Sequence, residues 1–177
     1  LLDETEQALM YANVVIDDSQ TPEDIGATAR YWRGKIRFEA GAYTEASPDL
    51  MAVAALGGTR GAESQFMLCQ IAYASGDYTA TEQALFEFIQ AYANYDSWKH
   101  QAFLLLVDTY IALADWFQAR ATAESILEYV QVESIRSAAT AKLATIDELE
   151  LAELNPPAAS DSTEAEPSTP EQNAPQQ

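Results

Sequence analysis

A four-residue turn signature, recurring at nearly constant spacing, governs what this chain can fold into. Ala40-Gly41-Ala42-Tyr43, Ser75-Gly76-Asp77-Tyr78 and Leu113-Ala114-Asp115-Trp116 place their aromatics 35 and 38 residues apart. Each signature follows an apolar stretch with helical spacing and precedes another, and a period of this size belongs to arrays of helix pairs. Gly41 and Gly76 suit the left-handed position that ends a helix, while Asp77 and Asp115 suit the cap of the next one. Other slots keep the same register. Three residues after the aromatic stand the small Ala46, Thr81 and Ala119; ten residues after it stand the large apolar Val53, Phe88 and Ile126. Seven residues before the turn Gly, or its Ala114 equivalent, stand Gly34, Cys69 and Val107. Small side chains let helices approach and large ones fill the space between stacked pairs.

The composition agrees with helices joined by brief loops. Hydrophobic residues make up 48% of the 177, enough for a core, and only Pro22 and Pro48 precede Asn155. Long alternating runs of Val, Ile and Thr, the mark of strands, are missing. Helices are expected at about 3–18, 22–40, 47–56, 61–75, 79–92, 97–113, 116–130 and 133–154, with Thr21-Pro22 starting the second. Residues 1–21 then supply the second helix of a truncated preceding repeat plus a linker. Three repeats follow at about 22–56, 61–92 and 97–130. In 131–154, Ile135, Ala139, Leu143, Ile146 and Leu149 form an apolar stripe with Glu148, Glu150 and Glu153 outside, the pattern of a capping helix. Residues 155–177 hold Pro, Ala, Ser, Thr, Glu and Gln with no large apolar side chain, and read as a disordered acidic tail.

These residues resemble the tetratricopeptide family, especially the divergent versions in envelope-associated proteins of the Bacteroidota. The similarity is greatest from Ala62 to Tyr129, through GDYTATEQALFEFI and ADWFQARATAESIL. The first repeat departs from the pattern: Arg33 holds a slot usually given to Leu, Ser47-Pro48 interrupts the second helix, and the closing Pro is missing from all three repeats. The fold that the resemblance implies is all-α, a right-handed α-solenoid of stacked antiparallel helix pairs. It also implies a periplasmic or outer-membrane-associated location.

Charge and motif content narrow the function. The net charge is −19, from 28 acidic and 9 basic residues. Such a surface repels a phosphate backbone, so nucleic acid is not an expected partner. No apolar run reaches the ~18–20 residues that a membrane span needs. The chain opens on Leu1-Leu2-Asp3-Glu4 without a basic region followed by an apolar stretch, and the expectation is a piece that begins within a longer repeat array. Cys69 is the only cysteine, so no internal disulfide can form. There is no Gly-rich phosphate loop, no nucleophile elbow and no paired His with metal-ligand spacing. His100, the only histidine, reads as a solvated helix-start residue, and Cys69 as a packing residue in a small-residue slot. Asp17-Asp18 and Glu148/Glu150 diverge on a helix and lack the geometry of a calcium loop. No enzyme, cofactor or metal is expected.

Two features rise above background. In the family, the first helix of each repeat lines the inner surface of the superhelix. Carried over by residue, this gives Tyr31, Lys35 and Phe38, then Phe66, Gln70 and Tyr73, then Leu104, Asp108 and Ile111, each set at i, i+4, i+7 on one helical face. Two readings stand: a groove for an extended peptide or a helix, or aromatics that pack between repeats. The family's carboxylate-clamp pattern of Lys and Asn is not matched. The second feature is basic: Arg30, Arg33 and Arg37 share one helical face, with Lys35 beside them. They read either as ion pairs to the preceding helix, through Asp17 and Asp18, or as a site for an acidic ligand. The leading function is a scaffold that docks a protein or peptide partner. The alternatives are a structural spacer or assembly subunit of a cell-envelope complex, or a non-catalytic module of a larger protein.

Overall fold

The computed structural model describes residues 3–154, and the tail expected at 155–177 lies outside them. Among the described residues the chain is all helical, with no strand. It forms α1 (Glu4–Asp17), α2 (Glu23–Glu39), α3 (Tyr43–Ala54), α4 (Gly58–Ala74), α5 (Tyr78–Ala91), α6 (Asp96–Ala112), α7 (Trp116–Tyr129) and α8 (Glu133–Leu154).

Local chemistry explains several of the ends. The Asp3, Asp77 and Asp115 carboxylates accept from the backbone N–H of Glu6, Ala80 and Gln118 at 2.8, 3.0 and 3.1 Å, satisfying donors that the first turn leaves unpaired. The turn position between helices is left-handed each time: φ is +74° at Gly41, +80° at Gly76 and +55° at Ala114. Gly adopts that conformation without penalty, whereas Ala114 holds it against the clash of its Cβ.

One expectation is corrected. Ser47-Pro48 does not interrupt the second helix of its pair: α3 begins at Tyr43 and carries Pro48 inside it. Pro48 is exposed, and so is Thr44 four residues earlier, whose carbonyl loses its helical donor. The Ser47 hydroxyl donates to the Tyr43 carbonyl at 2.7 Å, back along its own helix.

Each helix packs on the next in sequence. In addition α2 touches α4, α4 touches α6 and α6 touches α8, while no two odd-numbered helices share a Cα pair within 8 Å. The even-numbered helices thus run side by side, and the odd-numbered ones lie against them. Equivalent slots meet equivalent surroundings. Ala46, Thr81 and Ala119 are fully buried, as are Cys69 and Val107; Val53, Phe88 and Ile126 are nearly so. Gly34 is also buried, and a Cβ there would come within 3.1 Å of Asp49 Cβ and Leu50 Cδ2, so α2 and α3 could not stay this close with a larger residue. One apolar cluster gathers Phe66, Phe88, Tyr110, Ile126 and Ile146 from α4 to α8. A second, around Tyr31, Leu50, Val53 and Met67, joins α2 and α3 to α4. Helix α4 serves both, with Phe66 in one and Met67 in the other.

Candidate functional site

The face shared by α2, α4, α6 and α8 carries the residues expected to line a groove, and the structure divides them. Tyr31 and Phe66 are 5% exposed and Leu104 is 8% exposed, so these three belong to the interior. Phe66 stacks on Phe88 and Trp98, each with ring centroids 5.8 Å away. Phe38 is half-buried against the smaller apolar cluster. Lys35 and Tyr31 both reach across to α4: the Lys35 ammonium donates to Glu63 Oε1 and the Tyr31 hydroxyl to Glu63 Oε2, each at 2.7 Å. This carboxylate holds the Lys35 ammonium above its ordinary range. Burial first, and then the bond to Glu63, push the Tyr31 hydroxyl up as well. Arg60 of α4 closes the same seam, donating to the Thr28 hydroxyl at 2.7 Å with its guanidinium 5.4 Å from the centre of the Tyr31 ring.

Toward the other end the face stays open. Tyr73 of α4, Asp108 and Ile111 of α6 and Lys142 of α8 border a groove of about 410 Å³, with Ala138 and Ala141 as small side chains on the α8 wall. Lys142 donates to Asp108 across it. The Tyr73 hydroxyl is raised, by burial first and then by the Asp108 charge. Gln70, one turn before Tyr73 on α4, is half-buried and is not among the groove's bordering residues. Of the nine expected residues, then, the structure brings Tyr73, Asp108 and Ile111 together in one concavity. Lys142 joins them from the helix expected to serve only as a cap, and no periodicity within α8 alone could have pointed to it.

The basic cluster is corrected as to its partner. Arg30, Arg33 and Arg37 do not turn to Asp17 and Asp18 as their chief partners; they converge on Asp49 of α3. Arg33 is bidentate, with Nε 2.7 Å from Asp49 Oδ2 and Nη2 2.8 Å from Oδ1. Arg37 adds a bond at 3.2 Å, and Arg30 lies 3.5 Å away. Toward α1, Arg33 Nη1 donates to Asn13 Oδ1 at 2.7 Å. Asp49 is 1% exposed, which makes this a structural ion cluster between α2 and α3. The signal was present in the spacing: Asp49 falls one turn before Val53 on a helix that the Ser47-Pro48 pair had seemed to break.

The α8 acids also differ from expectation, since they do not simply face water. Arg120 of α7 pairs with Asp147 and Glu150, both at 2.7 Å, and the Trp116 indole donates to Glu153. Cys69 is fully buried, and burial pushes its thiol up to about 12, the opposite of what a nucleophile requires. Among the described residues no group of three or more His, Cys, Asp or Glu is placed to hold a metal ion, and no helix is long and apolar enough to cross a membrane. Compared with known proteins, the chain matches no family model, and no curated protein and no solved structure matches it.

Proposed function

We propose that this chain is a non-catalytic scaffold for protein–protein interaction, built as a right-handed α-solenoid of tetratricopeptide-like helix pairs with α8 as its closing helix. The observation that carries the reading is the groove across α4, α6 and α8. There Tyr73, Ile111, Asp108 and Lys142 offer a ring, an aliphatic surface and both signs of charge within one concavity. Aromatic anchors in a polar surround are the usual carriers of binding energy at protein interfaces. An extended peptide or a partner helix lying across the even-numbered helices would meet all four. The buried Tyr31, Phe66 and Leu104 belong to the interior and are not part of that surface.

The test is a peptide-display selection against the folded protein, followed by affinity measurement on variants. Tyr73→Ala and Ile111→Asp should each weaken a selected peptide by about tenfold or more, with unchanged melting. Full affinity in the stable double variant removes the groove from the function.

A second reading rests on the opposite end. Met10, Tyr11 and Val14 of α1 are 43, 63 and 64% exposed, and Trp32 of α2 is 50% exposed although Met67, 35 residues on, is 4% exposed. An apolar surface of this kind suits a further helix of a longer array, or a neighbouring subunit of a cell-envelope assembly. Charge reversal there, as in Tyr11→Glu with Trp32→Glu, should disrupt such an assembly in sedimentation while leaving peptide binding intact. If both variants assemble normally, this reading fails. A periplasmic or outer-membrane-associated location goes with it, checked by cell fractionation.

A further inference from the structure

A second concavity lies on a different face of α6. The groove above uses Asp108 and Ile111 of this helix, whereas here the floor is Phe103, Leu106 and Tyr110. Phe86 of α5 stands on one wall and Tyr129 of α7 on the other, enclosing about 300 Å³. The cleft exists because α5 and α7 both pack on α6 yet share no Cα pair within 8 Å. Between α3 and α5 the matching approach is bridged by Tyr92, whose hydroxyl donates to the Ala54 carbonyl at 3.2 Å; nothing comparable bridges α5 to α7 among the described residues. The two lip aromatics are left in water, Phe86 45% and Tyr129 75% exposed.

The charge that α5 and α7 leave outside an ion pair has one sign. Helix α5 holds Glu82 and Glu87 and no Lys or Arg. Glu82, one turn before Phe86, shares its surface, and Glu87 is exposed beside it. Helix α7 lines the cleft with Gln118, Thr122, Ser125 and Tyr129; Glu128 is exposed beside Tyr129, and the helix's one base, Arg120, is turned to Asp147 and Glu150 of α8. Arg136 of α8 spends its guanidinium on the Leu127 and Val130 carbonyls at the end of α7. No charged side chain lines the slot itself, and a partner meets carboxylates only at its edges.

We propose that the cleft docks a cationic amphipathic helix of a partner protein. One large apolar side chain sits between Phe86 and Tyr129, and Lys or Arg residues on its flanks face Glu82 and Glu87 of α5 and Glu128 of α7. Burial of the apolar anchor supplies affinity, and the acidic surround sets on-rate and excludes acidic partners. The site is separate from the groove across α4, α6 and α8, so it stands or falls independently.

The probe is a labelled synthetic peptide of about 15 residues, long enough for a helix. It carries Leu at i, i+3, i+4 and i+7 and Lys elsewhere, with a twin in which Glu replaces Lys. Fluorescence anisotropy with the full chain should show saturable binding of the Lys peptide and at least about tenfold weaker binding of the twin. Thr122→Trp, which fills the cleft, and Tyr129→Ala, which removes an exposed lip, should each weaken binding by about tenfold. Tyr73→Ala should leave it unchanged. Equal binding of the Glu twin would overturn the charge argument. Full affinity in both cleft variants would show diffuse attraction to an acidic protein, and loss in Tyr73→Ala would place the peptide in the other groove; either result overturns the proposal. Should Thr122→Trp not fold, Tyr129→Ala combined with Phe86→Ser decides the matter.

Discussion

Replacing Asp49 by Ala removes the carboxylate on which three arginines of α2 converge, and the cost can be worked out from the geometry. The Asp49 side chain is 2% exposed, that of Arg33 14%, Arg37 27% and Arg30 41%. The two Arg33 bonds at 2.7 and 2.8 Å are charge-assisted, a class in which each contributes about 1.5–3 kcal/mol. Breaking a buried pair by deleting one member costs about 3–5 kcal/mol, because the remaining charge is stranded. Here Arg37 and Arg30 can swing into water and only Arg33 is held, so Asp49→Ala should cost about 3 kcal/mol, the low end. Arg30→Ala should cost within about 1 kcal/mol, since its contact is largely solvated. The assay is a urea melt of the full chain, with the slope checked for constancy so that midpoints convert to free energy. A double-mutant cycle of Asp49→Ala with Arg33→Met should return a coupling of about 1–3 kcal/mol. Asp49→Leu with Arg33→Met should recover much of the single-mutant loss, because an apolar pair escapes the desolvation cost. A loss below about 1 kcal/mol for Asp49→Ala, or an Arg30→Ala as damaging as Arg33→Met, would refute the reasoning.

Other perturbations have equally definite outcomes. Phe88 is 1% exposed against Phe66 and Tyr92, so Phe88→Ala should cost about 3–5 kcal/mol in the same melt. Ile126, 2% exposed in the equivalent slot, should lose about 2–5 kcal/mol on truncation to Ala, and silence at both positions would disprove the repeat register. Ala114→Gly should stabilise by about 0.5–1 kcal/mol, since relief of a left-handed alanine, about 1–2 kcal/mol, exceeds the extra entropy that glycine loses on folding; a lower melting temperature would count against strain at that turn. Ser64 is fully buried and its hydroxyl has no hydrogen-bond partner among the described residues, so Ser64→Ala should raise stability by up to about 1 kcal/mol, and a clear loss would mean that the hydroxyl is satisfied. Alkaline pH should weaken the fold. With the Cys69 thiol raised from 9.0 to about 12 by burial, the unfolded chain gives up this proton first. Stability is therefore intact below pH 9.0 and falls between there and pH 12, and the raised Tyr31 and Lys35 act in the same direction. A Cys69→Ala variant with an undiminished alkaline decline would remove the thiol from that account.

The outline of the fold was legible because it rests on short-range chemistry. Aspartates placed for capping, left-handed turn positions and a period-matched set of small and large slots each act within a few residues. They place eight helices and assign Ala46, Thr81, Ala119, Val53, Phe88 and Ile126 to the interior, where the structure has them. Pro48 misled the reading because a proline in the second turn removes a single helical bond, here at the exposed Thr44, and need not end the helix.

Partner choice across helices was another matter. The i, i+4, i+7 spacing put Tyr31, Phe66, Leu104, Tyr73, Asp108 and Ile111 on one kind of face, but it does not say how deep a neighbouring helix covers that face. Packing buried the first three and left the last three around an open groove. The same holds for charge: a row of arginines is visible in one helix, while Asp49 as their shared partner, Glu63 as the anchor of Lys35, and Lys142 as the partner of Asp108 come from residues 12 to 34 positions away. Sequence determined the helices and their periodic interior, because each of those preferences is local. Only the tertiary structure decided which side chains are spent holding neighbouring helices together and which remain for a partner, because that depends on how closely separate helices approach.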